Sequence, residues 1–270
     1  MFSSIGSKTV QSLSAFGRFW AFAARTLRSL VLGCLQWRNW RLALPQAYEV
    51  GNRSLPVILI TGIFVGLVLA IQAYDQLKSA GFAERMGVLL NLTLVLELGP
   101  VLAAVMLAGR VGGALTAELG TMNVTEQIDA LRVMGTDPIR HLVVPRFLAC
   151  VIMAPVLTFF ADVVGSFSGA WVAVFLKGVP YEPYAYYTAD AIEKWDMMVG
   201  FTKSVVFGGI IGLVACYKGF HCRAGAEGVG RACTESFVAS FMVILIVDFF
   251  FTTFFQGIYR ALYGFKSLVI

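Results

Sequence analysis

The chain has 270 residues, of which 58% are hydrophobic and only 14% are charged. Soluble domains carry about 25% charged residues, so this chain has too few charges to cover a water-exposed surface. The composition excludes a soluble enzyme, a disordered chain and a fibrous protein, and it indicates an integral membrane protein. The formal net charge of +5 does not indicate nucleic-acid binding, because the basic residues flank apolar segments.

The segment that comes first, residues 1–53, differs from the rest of the chain. Aromatic and aliphatic residues recur there at helical spacing, and the basic residues Arg18, Arg25 and Arg28 lie between them. This pattern predicts one or two amphipathic helices that lie in the membrane interface on the cytoplasmic side. A soluble cytoplasmic tail is the alternative, which the high aromatic content disfavours.

Charge-poor runs over residues 54–270 predict five transmembrane helices, since a helix needs about 20 apolar residues to cross a bilayer. The predicted spans cover residues 54–74, 86–109, 147–176, 197–217 and 236–259. The last four spans each contain one charged residue, in order Glu97, Asp162, Lys203 and Asp248. The expected fold class is an all-α integral membrane protein with a five-helix domain behind the interfacial segment.

The distribution of Lys and Arg predicts the orientation of these spans. Fourteen lie in the segment up to Arg53 and in the loops 110–146 and 218–235, and seven lie on the other side. The positive-inside rule then places the N-terminus in the cytoplasm and the C-terminus outside.

Glycines four residues apart recur in the spans. The pairs are Gly62 and Gly66, Gly109 and Gly113, Gly165 and Gly169, and Gly208 and Gly212. Because this spacing places both glycines on one helix face, we expect neighbouring helices to approach closely there.

The loop between the second and third spans contains signals of a short helix over residues 124–134. Asn123 is a suitable N-cap residue, and Glu126 follows at the spacing of a capping box. Gly135 and Pro138 are stop signals. We therefore expect an amphipathic helix in a cytoplasmic loop.

This helix has an apolar stripe formed by Val124, Ile128 and Leu131, with Met134 beside it. A helix on the lipid surface would normally be basic, whereas Asp129 and the other charges here are of mixed sign. The pattern therefore favours docking into a groove on a partner protein, with the lipid surface as the alternative.

A set of motifs lies between residues 97 and 146: Glu97-Leu98-Gly99-Pro100, the run Ala108–Gly120, Thr125–Leu131, Met134-Gly135, Asp137-Pro138 and Pro145-Arg146. These motifs resemble the MlaE-type permease family, the membrane subunits of bacterial lipid-transporting ABC systems that work with MCE proteins. The resemblance extends from about Arg53 to the C-terminus, while the first 50 residues match in character only.

The resemblance implies a homodimer in the bacterial inner membrane, where the distribution of Lys and Arg places the N-terminus on the cytoplasmic side and the C-terminus on the periplasmic side. It implies as partners a separate cytoplasmic ABC ATPase, an MCE-domain substrate-binding protein, a small STAS-type accessory protein and phospholipid. The implied ATPase-coupling residues are Val124, Glu126, Ile128, Asp129, Leu131, Met134 and Gly135. No cofactor is expected, and a separate ATPase agrees with the sequence, since a phosphate loop needs Gly-Lys and this dipeptide does not occur.

The resemblance also implies a lipid-lined cavity between two subunits, and we expect Glu97 beside it. Gly99 and Pro100 follow directly and should bend or loosen the helix. The candidate cavity residues are Leu96, Glu97, Leu98, Gly99 and Pro100.

The other intramembrane charges leave more than one interpretation open. Asp162 and Asp248 could serve packing alone or could face a cavity or a partner. Lys203 could attract a lipid phosphate or could extend to the outer interface, and the second is favoured.

The sequence gives less support to two other classes of function. An intramembrane lipid-modifying enzyme lacks a nucleophile motif, and Cys216, His221, Cys222 and Cys233 match no familiar metal spacing, so no metal site is expected. A channel or scaffold without ATP coupling would not need the loop helix.

Overall fold

The computed structural model describes residues 2–33 and 37–264, and within these ranges the secondary structure is helical with no strand. The helices are α1 (Phe2–Gly33), α2 (Trp37–Ser79), α3 (Ala83–Val124), α4 (Gln127–Val133), α5 (Ile139–Leu176), α6 (Tyr181–Ala191), α7 (Lys194–Phe220) and α8 (Ala226–Tyr263). In this part of the chain, α2, α3, α5, α7 and α8 are long and apolar enough to cross a membrane. The predicted all-α membrane fold with five spans is therefore confirmed.

The helices extend well beyond the charge-poor runs that predicted them. α2 is continuous from Trp37 through Pro45 and Pro56, so no break separates the interfacial segment from the first span. α3 continues 15 residues past the predicted end at Gly109. Hydropathy marks only the lipid-embedded part of a helix, while backbone hydrogen bonding continues into the polar flanks. Helix α6, between the third and fourth spans, was not predicted.

Glycines allow α5 to contact both α2 and α7 closely. A Cβ atom added to Gly62 would lie 2.9 Å from the carbonyl oxygen of Ala161, and one added to Gly208 would lie 2.5 Å from that of Cys150. Three of the four predicted pairs therefore lie at close helix contacts. The exception is the pair Gly109 and Gly113, since a Cβ at Gly113 would have no neighbour within 4 Å.

We predict that Gly66→Ala lowers the free energy of unfolding by about 1–3 kcal/mol, as overpacking does. The added methyl group would collide with the backbone of Gly165 and the hydroxyl of Ser168. Gly113→Ala is the matched control, because it adds the same group in open space and alanine favours a helix. Denaturant titration in detergent measures both, and equal destabilisation by the two variants would contradict the prediction.

Two apolar clusters lie at opposite ends of the bundle. Near the α5–α6 connection, the ends of α2, α3 and α5 pack around Met86, Val172 and Tyr184. At the end that carries α4, Phe22 of α1 joins residues of α3, α4, α5 and α7 in a second cluster around Ile128. Helix α1 is therefore packed onto the bundle at the α4 end.

Candidate functional site

The ammonium group of Lys203 lies at the centre of a buried ion cluster. Its nitrogen is 2.6 Å from Glu97 Oε2 on α3 and 2.9 Å from Asp248 Oδ1 on α8, and the lysine side chain is fully buried. Thr252 accepts a hydrogen bond of 2.8 Å from Lys203 and donates one to Glu97. Three spans are thus joined by charged and polar groups within the membrane, and we call Glu97, Lys203, Asp248 and Thr252 the ion-paired centre.

Local backbone structure explains why Lys203 is held at this place. Residues Leu94–Leu98 form a π-helical turn, directly before Gly99 and Pro100. In a regular α-helix the N–H of residue 100 would bind the carbonyl oxygen of Leu96, but proline has no N–H. Lys203 donates a hydrogen bond of 3.0 Å to that oxygen instead. The predicted loosening of the helix at Gly99 and Pro100 is confirmed, and it creates an acceptor for the lysine.

The interpretation that Lys203 extends to the outer interface is wrong, because its side chain is fully buried and bonded to two carboxylates. Asp248 belongs to the same centre, whereas Asp162 does not. A salt bridge within a low-dielectric region offsets the cost of burying each charge only when the partners are close and well hydrogen-bonded. Here the charged groups are close, and Lys203 donates hydrogen bonds to Glu97, Thr252 and the Leu96 carbonyl oxygen, while Asp248 Oδ1 is an ion-pair partner without a hydrogen bond among the described residues.

A pocket of about 290 Å³ opens beside the ion-paired centre, between α3, α7 and α8. Leu96 and Glu97 line it, together with Trp195 and Tyr259, whose rings pack against each other. Glu97 retains 36% side-chain exposure, so its carboxylate is both paired and accessible from the pocket. The pocket therefore combines an aromatic wall with a carboxylate at its inner side.

The remaining predicted cavity residues do not line this pocket. Leu98 and Gly99 contribute to a narrow crevice against α2, and Pro100 is buried. Residues two positions apart point in roughly opposite directions on a helix, so Leu96 and Leu98 face different recesses of the one subunit. That residues 96–100 line a cavity between two subunits stays a prediction.

The loop helix α4 differs from the predicted helix over residues 124–134. α3 continues through Val124, so Asn123 is not an N-cap residue, and its side chain points to the sulfur of Cys222 at 3.8 Å. Glu126 has a φ of 59° and makes no capping hydrogen bond. The chain thus reverses direction at Glu126, and the predicted capping box is wrong.

The predicted helix end is correct. Gly135 has a φ of 73°, a left-handed conformation that glycine adopts without a steric penalty. Its N–H binds the carbonyl oxygen of Arg132, and the N–H of Thr136 binds that of Leu131. These bonds close the carbonyl end of α4 as expected for a glycine C-cap.

The apolar stripe of α4 faces the protein itself. Ile128 is 1% exposed and packs in the cluster that includes Phe22 and Leu119, with Leu131 packed against the same cluster. The prediction that Ile128 enters a partner's groove is therefore wrong. The large apolar residues exposed at the end of α4 are Val133 and, directly after the helix, Met134, at 89% and 70%.

An ion pair holds the two ends of this loop together. Arg146 at the start of α5 is buried and bonds to the carboxylate of Glu118 near the end of α3, and it also donates to the carbonyl oxygen of Leu142. The pair thereby joins the parts of α3 and α5 that flank α4 along the chain.

Five long apolar helices, a buried charge centre and a pocket beside it define a polytopic helical membrane protein with a polar site within its spans. The family model for the permease MlaE matches residues 43–254, so the chain belongs to the MlaE permease family.

Curated relatives are similar in sequence to this chain over most of their own length. A probable ABC transporter permease protein of Rickettsia bellii is 38% identical over 94% of this chain and 96% of its own. The intermembrane phospholipid transport system permease protein MlaE of Haemophilus influenzae is 35% identical over 94% of this chain and 97% of its own. The chloroplastic protein TRIGALACTOSYLDIACYLGLYCEROL 1 of Arabidopsis thaliana is 37% identical over 87% of this chain and 67% of its own.

Proposed function

We propose that this chain is the permease subunit of an ABC-type transporter that moves phospholipid between the bacterial inner membrane and a periplasmic MCE-domain protein. The observation that carries the proposal is the ion-paired centre beside an accessible pocket within the spans. The name of the Haemophilus relative, which includes intermembrane phospholipid transport, supports the substrate class. A separate ATPase supplies the energy, and a small STAS-type protein accompanies it in the cytoplasm.

Affinity purification of the chain from mild detergent should recover the ATPase and the MCE-domain protein, and purification of the chain alone would contradict the proposal.

The centre suits a zwitterionic headgroup that moves through an apolar region, because its ammonium group can approach the carboxylates. Lys203 neutralises part of the charge of Glu97 and Asp248, so the pocket wall is polar without a large desolvation cost. A headgroup that enters the pocket can exchange hydrogen bonds with the accessible carboxylate of Glu97. Acyl chains are accommodated by the aromatic residues on the opposite wall.

A homodimer through α8 would separate this pocket from bulk lipid. α8 is the least buried of the five spans, with 11% of its most apolar window buried. Several of its exposed apolar residues recur at helical spacing, among them Val238, Met242, Leu245, Ile246 and Phe249. These residues lie on the helix that carries Asp248 and Thr252, so a second subunit would cover the pocket from that side. Native mass measurement should give a dimer, and a monomer would contradict the proposal.

We predict that a photocrosslinker at Leu96 captures phospholipid and that the same group at Leu98 captures protein. Leu96 lines the pocket, whereas Leu98 faces the crevice against α2. The adducts are distinguished by mass spectrometry of the purified permease. Failure of the Leu96 variant to capture phospholipid would count against the pocket as a lipid site.

We predict that α4 lies in the cytoplasm and α6 on the periplasmic side, from the distribution of Lys and Arg. Met134 and Tyr186 are both 70% exposed, so cysteines at these positions should be equally reactive towards a maleimide. In intact spheroplasts an impermeant maleimide should label Tyr186→Cys, and it should label Met134→Cys only after lysis. The reverse pattern would mean that the orientation is inverted.

A further inference from the structure

A second, larger recess lies between α3, α5 and α7 and shares no lining residue with the pocket at Glu97. Its volume of about 510 Å³ falls within the range of roughly 300–1,000 Å³ that small-molecule sites occupy. Phe159, Phe167 and Phe201 form part of its edge and are 57%, 74% and 61% exposed. The recess therefore opens sideways, towards the surface that meets lipid, and we call it the lateral groove.

A row of polar side chains on α5 lines the lateral groove. Thr158, Asp162 and Ser166 follow one another at intervals of four residues, which places them on one helix face. The surrounding span is otherwise apolar, and polar groups at this depth are costly unless they meet partners. An apolar lipid chain alone would leave that cost in place.

Asp162 is the charged member of this row, and its buried Oδ1 atom has no hydrogen-bond partner among the described residues. Thr158 donates to the carbonyl oxygen of Ala154, and Asn91 on α3 donates to that of Gly87. Within the described residues, Asp162 has no ion pair and no hydrogen bond, and its Oδ1 atom is buried. Its Oδ1 atom lies directly against Gly99 of α3, where an added Cβ atom would collide with it.

We propose that the lateral groove binds the headgroup of an aminophospholipid, whose ammonium group pairs with Asp162 while its acyl chains extend through the opening into the bilayer. A cation offsets the cost of a carboxylate in this environment, a phosphate would be repelled, and a lipid with hydroxyl groups alone would leave the charge unpaired. This inference rests on the proposed function for its substrate class. α8 contributes no residue to the groove, so a dimer through α8 leaves the opening free.

The test places a photocrosslinker at Phe167 in the full-length permease, in nanodiscs of equal parts phosphatidylethanolamine and phosphatidylglycerol. Phe64 on α2 is the matched control position, since it is 63% exposed and lies outside the groove. We expect the ratio of phosphatidylethanolamine to phosphatidylglycerol adducts to be about tenfold higher at Phe167 than at Phe64. The free energy of one charge-assisted hydrogen bond is large enough for a preference of this size. Asp162→Asn should lower the ratio at Phe167 to that at Phe64.

Equal ratios at the two positions in the unsubstituted background would overturn the proposal, as would enrichment of phosphatidylglycerol. A ratio at Phe167 that Asp162→Asn leaves unchanged would overturn the role of the carboxylate. The comparison of Phe167 with Phe64 decides the matter even if the Asp162 variant does not fold. Because the measurement uses neither ATP nor the ATPase, its failure is distinguishable from a failure of the transport function, which the capture at Leu96 tests separately.

Discussion

Lys203→Met is expected to lower the free energy of unfolding by about 3–5 kcal/mol, the cost of removing one partner from a buried ion pair. The substitution leaves the carboxylates of Glu97 and Asp248 together without the cation between them, and it also leaves the Leu96 carbonyl oxygen without its donor. Denaturant titration of the purified permease in detergent measures this change. Transport should be lost as well, because the three spans are no longer held together at the pocket.

Two further variants show whether the effect comes from unpaired charge. Combining Lys203→Met with Glu97→Gln and Asp248→Asn removes all three charges and should recover most of the lost stability. Lys177→Met is the control for an ordinary surface pair, since Lys177 lies 3.2 Å from an Asp75 carboxylate that is 63% exposed. That variant should cost no more than about 1 kcal/mol. If the triple variant is no more stable than Lys203→Met, the ion-paired centre is not the source of the effect.

Val133→Asp is expected to release the ATPase while leaving the permease folded. Val133 is 89% exposed at the end of α4, so a carboxylate there remains in water in the free permease. In the complex, the loss of one buried apolar side chain of about 1.5–3 kcal/mol corresponds to a roughly tenfold to hundredfold weaker affinity. Binding of the ATPase to the permease in nanodiscs measures the affinity.

Ile128→Asp should act in a different way, because Ile128 lies in the cluster around Phe22 and Leu119. It would bury an unpaired charge and destabilise the permease itself. Tyr186→Asp, on α6 at the opposite end of the bundle, is the surface control and should not change ATPase binding. Unaltered affinity in the Val133 variant would exclude this end of α4 from the ATPase interface.

Features that depend on the chain alone could be predicted from the sequence. A run of about 20 residues with few charges predicts a transmembrane span, because in lipid the backbone must form its hydrogen bonds within one helix. Glycine at position 135 predicts a helix end, because the left-handed conformation is local. The absent N–H of Pro100 is also local, and it is the signal that could have identified the Leu96 carbonyl oxygen as an acceptor in need of a donor.

Features that depend on the direction of a side chain relative to other helices required the tertiary structure. Lys203 lies near the start of its predicted span, which suggested an interfacial position, but α3 and α8 bring two carboxylates to it. Thr252 carried no sequence signal, because uncharged Thr residues such as Thr252 and Thr253 are tolerated in a span.

The difference between local features and contacts between helices also explains why the end of α4 was predicted correctly and its packing was not. Residue spacing and glycine chemistry are properties of the segment, so the sequence predicts an amphipathic segment that follows the second span and ends at Gly135. What the apolar stripe covers depends on the packing of other helices and is visible only in the folded protein. The turn at Glu126 folds Ile128 back onto α1 and the ends of the spans, because that apolar surface is already within the same chain and burying it needs no partner.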